Sequence, residues 1–201
     1  VVGRTQCGLV SVPRDHAAPQ RGRIRLSVTR VGARQPLNRE GVVFIQAGDP
    51  QRVKGAPFVL HLASRWESLA TTAYRTLVDR YDVIELSTRD LRQGNAVEQA
   101  ARDMEYVRGQ LGEARLNYLG NAAATRLGNR YGTLFPERVG RMVLINTEPG
   151  EALAAGVEQL LLKESAHAGA DGCVSRWLGD FLAYGKQPPA TARCLDLGAW
   201  E

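Results

Sequence analysis

The run Leu116-Asn117-Tyr118-Leu119-Gly120-Asn121-Ala122-Ala123-Ala124-Thr125 constrains this chain more than any other segment. Apolar residues of strand character lead into a glycine and three alanines, and helical spacing follows. The expected structure is a short strand, a tight turn and a helix. The spacing is that of G-x-S-x-G, in which a strained turn lifts a serine hydroxyl clear of a sheet edge. Here Gly120 is kept, Ala122 stands at the serine position and Ala124 at the closing glycine. Alanine carries no oxygen that could attack a carbonyl, so a serine mechanism cannot start from this position.

The rest of the chain supplies a sheet for such a turn. Residues 23–31 alternate apolar and polar side chains, as a half-exposed strand near a sheet edge does. Residues 41–45 form a continuous apolar run, which suits a buried parallel strand. Residues 58–79 have helical spacing, with Leu60, Leu62, Trp66, Leu69, Ala73 and Leu77 as core positions. A strand over 81–86, an amphipathic helix over 96–111, a strand over 116–120, a helix over 123–134 and a strand over 141–146 follow. Alternating strands and helices predict a mostly parallel sheet with helices on both faces. No linker divides the chain, so residues 1–201 read as a single domain.

Bulk properties exclude several classes. The net charge of +5 is carried by scattered arginines without interleaved aromatics, which argues against a nucleic-acid surface. No apolar run approaches the roughly 18 residues of a membrane span. No signal peptide is visible, so either none exists or the sequence is that of a mature chain. No C-x-x-C pair or Cys/His cluster suggests zinc, and no cofactor motif is present. Three cysteines leave at least one without an intrachain partner, and Cys7 has no obvious one.

The flanks of the turn are specific. Asn117-Tyr118-Leu119-Gly120 precedes it, and the run from Thr125 through Leu134-Phe135-Pro136-Glu137-Arg138-Val139 to Met142-Val143-Leu144 follows. Together with Cys7-Gly8-Leu9-Val10-Ser11-Val12-Pro13-Arg14-Asp15-His16, these blocks resemble the α/β-hydrolases of the tripeptidyl-aminopeptidase-like family. The resemblance implies an α/β-hydrolase-like sheet and a disulfide between Cys173 and Cys194. It also implies an exported, secreted or periplasmic location, with a cytoplasmic protein holding reduced cysteines as the alternative. By the same resemblance, Gly150–Ala155 matches a helix that leads through a final strand to the triad histidine, here His167. The cap domain and the strand bearing the triad aspartate would lie between residues 146 and 150, so both are expected to be absent.

The resemblance also places an oxyanion loop at Gln46-Ala47-Gly48-Asp49-Pro50-Gln51, where a glycine is lost and the Asp49 carboxylate would repel an oxyanion. The turn after the fourth strand is altered as well, to Ser87-Thr88-Arg89-Asp90-Leu91-Arg92-Gln93-Gly94. Candidate catalytic residues are His167 as base, Glu148 as acid and Asp49. Candidate ligand-binding residues are Gln46, Gly48, Asp49, Arg89, Asn121, Ala122 and His167. Loop charges that only meet solvent are the competing reading for the acidic members. Thr125 lies inside the helix, where its hydroxyl should bond a backbone carbonyl. His61 and Ser64 share a helix face without an acid.

Three functions follow. The first is a catalytically inactive homologue that binds a small molecule or a protein partner, associating with itself or another chain through the uncapped face. The second is an enzyme with repurposed acid–base chemistry, such as a lyase, cyclase or isomerase. The third is a weak or vestigial esterase or peptidase.

Overall fold

The computed structural model describes residues 2–47, 58–69, 71–93, 95–163 and 173–188. Among these residues, seven strands form one sheet. Strands β1 (Thr5–Pro13) and β2 (Arg23–Val31) make an antiparallel hairpin, and β2 runs antiparallel to β4 (Tyr81–Leu86). From there the sheet is parallel through β3 (Gly41–Gln46), β5 (Leu116–Asn121), β6 (Val139–Ile145) and β7 (Glu158–Leu162). The order across the sheet is β1-β2-β4-β3-β5-β6-β7.

Helices α1 (Phe58–Ser68), α2 (Thr72–Arg80) and α5 (Cys173–Tyr184) cover one face, where Val43, Ile45, Trp66, Leu77, Val143 and Phe181 are buried together. Helices α3 (Ala96–Leu111) and α4 (Ala124–Leu134) cover the other, over Val42, Phe44, Tyr118, Met104, Leu127 and Met142. Successive residues of β3 thus feed opposite cores, which is why that strand is apolar at every position but its last.

Most expected elements are present, and three differences are informative. The helix expected over 58–79 is two helices. Thr71 is extended at the start of α2, and its hydroxyl accepts from the Tyr74 N–H at 3.3 Å, so an N-cap ends one apolar stripe and restarts it. All six predicted core positions still pack into the same core. The Gly150–Ala155 segment is not a helix, and Glu151 instead turns its carboxylate back toward the sheet edge. Strand β1 was not anticipated from the sequence. Between β6 and β7 the chain makes only turns and bends, and β7 lies directly against β6, with the Asn146 N–H donating to the Leu162 carbonyl at 2.9 Å.

Candidate functional site

The turn after β5 stands at the carboxyl edge of the parallel strands, where open α/β sheets bind ligands. Its apex is Ala122, which is exposed and has φ of 54°. A side-chain-bearing residue in the left-handed region costs roughly 1–2 kcal/mol, so neighbours must enforce it. The Ala122 N–H donates to the Ile145 carbonyl at 3.0 Å, tying the turn to the end of β6. The Thr125 N–H donates to the Ala122 carbonyl at 3.0 Å, closing the first turn of α4. Asn146, at the end of β6, also has positive φ, at 60°.

The turn is braced from below by Tyr118. Its ring is fully buried between β5 and α4, and its phenol donates to the Ala124 carbonyl at 2.7 Å. Burial pushes the phenol well above its ordinary pKa, with the Glu151 carboxylate adding to the rise. Two glycines admit the ring. A Cβ on Gly120 would sit 2.5 Å from Tyr118 Cε1, and one on Gly128 would sit 2.6 Å from the same atom. Gly120 is therefore required by close approach of a ring, with no need for unusual φ.

Thr125 is buried, and its Oγ1 lies 2.7 Å from the Ala122 carbonyl, as its place in the helix predicted. The same oxygen is 2.9 and 3.1 Å from the two carboxylate oxygens of Glu151, so one hydroxyl proton serves either acceptor. Glu151 also accepts the Glu148 N–H at 3.1 Å. A carboxylate here also meets the positive end of the α4 dipole. Glu151 is thus the acidic group beside the turn among the described residues. Glu148 itself is exposed, and only its backbone joins this cluster. Sequence reading missed Glu151; Gly150-Glu151 was visible only as part of an expected helix.

Gln46, at the end of β3, is in register with Gly120 and 3% exposed. Its side-chain Nε2 is buried and has no hydrogen-bond partner among the described residues, a donor whose desolvation they leave uncompensated. Asn121 is half-buried at the end of β5. These residues share the sheet edge with Ala122.

Arg89 goes elsewhere. Its guanidinium donates to Asp103 at 2.8 and 2.9 Å, to the Pro13 carbonyl at 2.7 Å, and to the Arg14 carbonyl. His16 Nε2 is 2.6 Å from Asp103 Oδ1, and Asp103 is 1% exposed. This cluster clamps the end of β1 onto α3. It borders an open polar depression of about 500 Å³ lined by Arg14, Asp15, Asp90, Gln93 and Gln99 among others. Asp90 is exposed, and hydrogen bonds from Arg92 hold its carboxyl below the usual range. Gly48, Asp49, His167 and Cys194, together with the side chains of His61 and Cys173, lie outside the described residues. Cys7 is free and exposed.

No protein-family model matches the chain. A tripeptidyl aminopeptidase from Streptomyces coelicolor is 29% identical over 186 residues, covering 69% of this chain and 34% of its own. The serine protease Hip1 of Mycobacterium tuberculosis is 40% identical over 57 residues, 26% of this chain and 11% of its own. The chain thus spans about a third of the length of the first of these relatives. Among solved structures, an epoxide hydrolase from Vigna radiata is similar at a TM-score of 0.48 and 13% identity, over 73% of this chain and 40% of that one. The scaffold is that of an α/β-hydrolase. The strand order, the left-handed apex after β5 and the aminopeptidase relatives agree on it.

Proposed function

We propose that this chain is an α/β-hydrolase-like protein that does not perform serine hydrolysis and acts by binding a small molecule or protein partner at the carboxyl edge of its sheet. The observation that carries the reading is Ala122. The turn that would present a nucleophile holds its left-handed conformation and its exposure, with a methyl group at the apex. The nearest hydroxyl on the helix that follows, Thr125, is buried and already engaged by Ala122 and Glu151. It is not placed to substitute. Gln46 Nε2, without a partner among the described residues, supplies a donor for a ligand acceptor beside the turn.

Two measurements test this. Intact-mass analysis after treatment with a fluorophosphonate probe should show no adduct on the folded protein, and an adduct on any serine would sink the proposal. Native mass spectrometry of the purified chain should show retained non-covalent mass, lost when Gln46 is replaced by Leu. Turnover of an ester or peptide substrate that survives in Gln46→Leu would instead assign a vestigial hydrolase working from another residue.

A further inference from the structure

The two edges of the sheet differ. At one, Asn146 donates to the Leu162 carbonyl, so alternate residues of β7 face β6, and Gln159 and Leu161 direct their backbone groups outward. Gln187 Nε2 covers that edge by donating to the Gln159 carbonyl at 3.2 Å. The other edge is β1, nine residues long and without a charged side chain. Native edge strands usually carry such charges to discourage pairing.

The direction of the β1 backbone groups follows from its ladder. Just beyond its two ends, the Gly32 N–H donates to the Arg4 carbonyl at 2.9 Å, and the Arg14 N–H to the Gly22 carbonyl at 3.0 Å. In an antiparallel pair such bonded positions recur at every second residue. Gln6, Gly8, Val10 and Val12 therefore bond β2, while Cys7, Leu9 and Ser11 point their N–H and C=O groups away from it. Arg23 Nη2 occupies the Ser11 carbonyl at 2.8 Å. Cys7 and Leu9 have no outward partner among the described residues. Leu9 is 66% exposed, and Cys7 is exposed on the same face.

We propose that this edge pairs with the same edge of a second copy of the chain, antiparallel and centred on Gly8, joining two sheets into one. In that register Cys7 lies opposite Leu9 of the second copy, and Leu9 opposite its Cys7, so both outward ladders are satisfied by symmetry. The two Gly8 residues meet at the dyad, where neither carries a side chain and no atom of its own chain crowds the position a Cβ would take. Self-pairing gives every outward Cys7 and Leu9 group a partner and sets no like charges opposite each other, because β1 has no charged side chain of its own and the Arg23 guanidinium lies at the Ser11 end of each strand, so the occupant is a second copy. Each exposed Leu9 is covered beside a cysteine. This interface does not depend on the ligand site or on an uncapped face.

The test is sedimentation velocity of the full chain over about 1–200 µM, where an interface of one strand pair gives a concentration-dependent dimer. Leu9→Lys sets two like charges diagonally across the dyad and should raise the dimer dissociation constant at least ~10-fold, because charge on an edge opposes pairing. Leu9→Pro removes a donor that β2 does not use, so it should abolish the dimer while leaving the circular dichroism spectrum of the monomer intact. Hydrogen exchange at the Cys7 amide should slow in the wild-type dimer and be fast in Leu9→Lys. A wild-type chain that stays monomeric across the range overturns the proposal. So does a dimer that persists unchanged in Leu9→Lys, which would place the interface elsewhere.

Discussion

Replacing Ala122 with glycine isolates the cost of the turn. Ala122 sits at φ 54°, and an L-residue there pays about 1–2 kcal/mol that glycine does not. Glycine in turn loses more chain entropy on folding, by roughly 0.5–1 kcal/mol. The side chain is exposed, so no buried contact is lost. The net expectation is stabilisation by about 0.5–1 kcal/mol, which for a domain of this size raises Tm by ~1–4 °C. Urea unfolding should show a higher midpoint at unchanged slope. Chain concentration must be held fixed, since association shifts apparent stability. Ala122→Val should move the other way, because a branched side chain fits the left-handed region worst. A glycine variant with a lower midpoint at the same slope would refute the reasoning. It would mean that the apex is not held left-handed, and the reading of this turn as one shaped to present a nucleophile would fall with it.

Three further outcomes are expected. Asp103→Ala leaves the Arg89 guanidinium buried with carbonyls alone and should cost about 3–5 kcal/mol in urea unfolding, with Asp103→Asn costing less. Gly128→Ala drives a methyl against Tyr118 and against Leu144 Cδ2 at 2.9 Å, and should destabilise by about 1–3 kcal/mol in the same assay. Burial alone would raise the Glu105 carboxyl, but hydrogen bonds from Arg108 and Tyr131 outweigh it and hold the group below its ordinary range. Its contribution is then complete above the unfolded carboxylate value and disappears as pH falls through the lower folded value. Thermal melts between about pH 5 and 3 should therefore show a shallower acid loss in Glu105→Gln than in wild type.

The sequence showed the sheet better than it showed the site. Strand β2 was legible because one of its faces is wetter than the other, and β3 because both of its faces are buried. Helix α3 ends where Gly112 takes φ of 70°, the usual mark of a helix stop. Strand β1 escaped because most of it is exposed on both faces, so no alternation develops until Val12. The break before α2 escaped because one capping threonine interrupts a stripe that stays in phase on either side. At the edge of the sheet, Ala122 could be read because glycine spacing fixes a turn. Glu151 could not, because a carboxylate 26 positions from Thr125 meets it only once the chain has folded back. Arg89 looked like a ligand residue from its place after β4, and only the fold shows that Asp103, one side of α3, takes it.

The bracing of the turn has a consequence for how such proteins diversify. Among the described residues, the contacts that set the conformation at position 122 are made by backbone atoms or by other residues: the Ile145 carbonyl, the Thr125 amide and hydroxyl, and the Tyr118 ring between its two glycines. None uses the Ala122 side chain. The mould and what it displays are therefore inherited separately. A single codon change could swap the displayed group and leave the mould intact, so a lineage can lose a chemistry here, or acquire another, without passing through an unfolded ancestor.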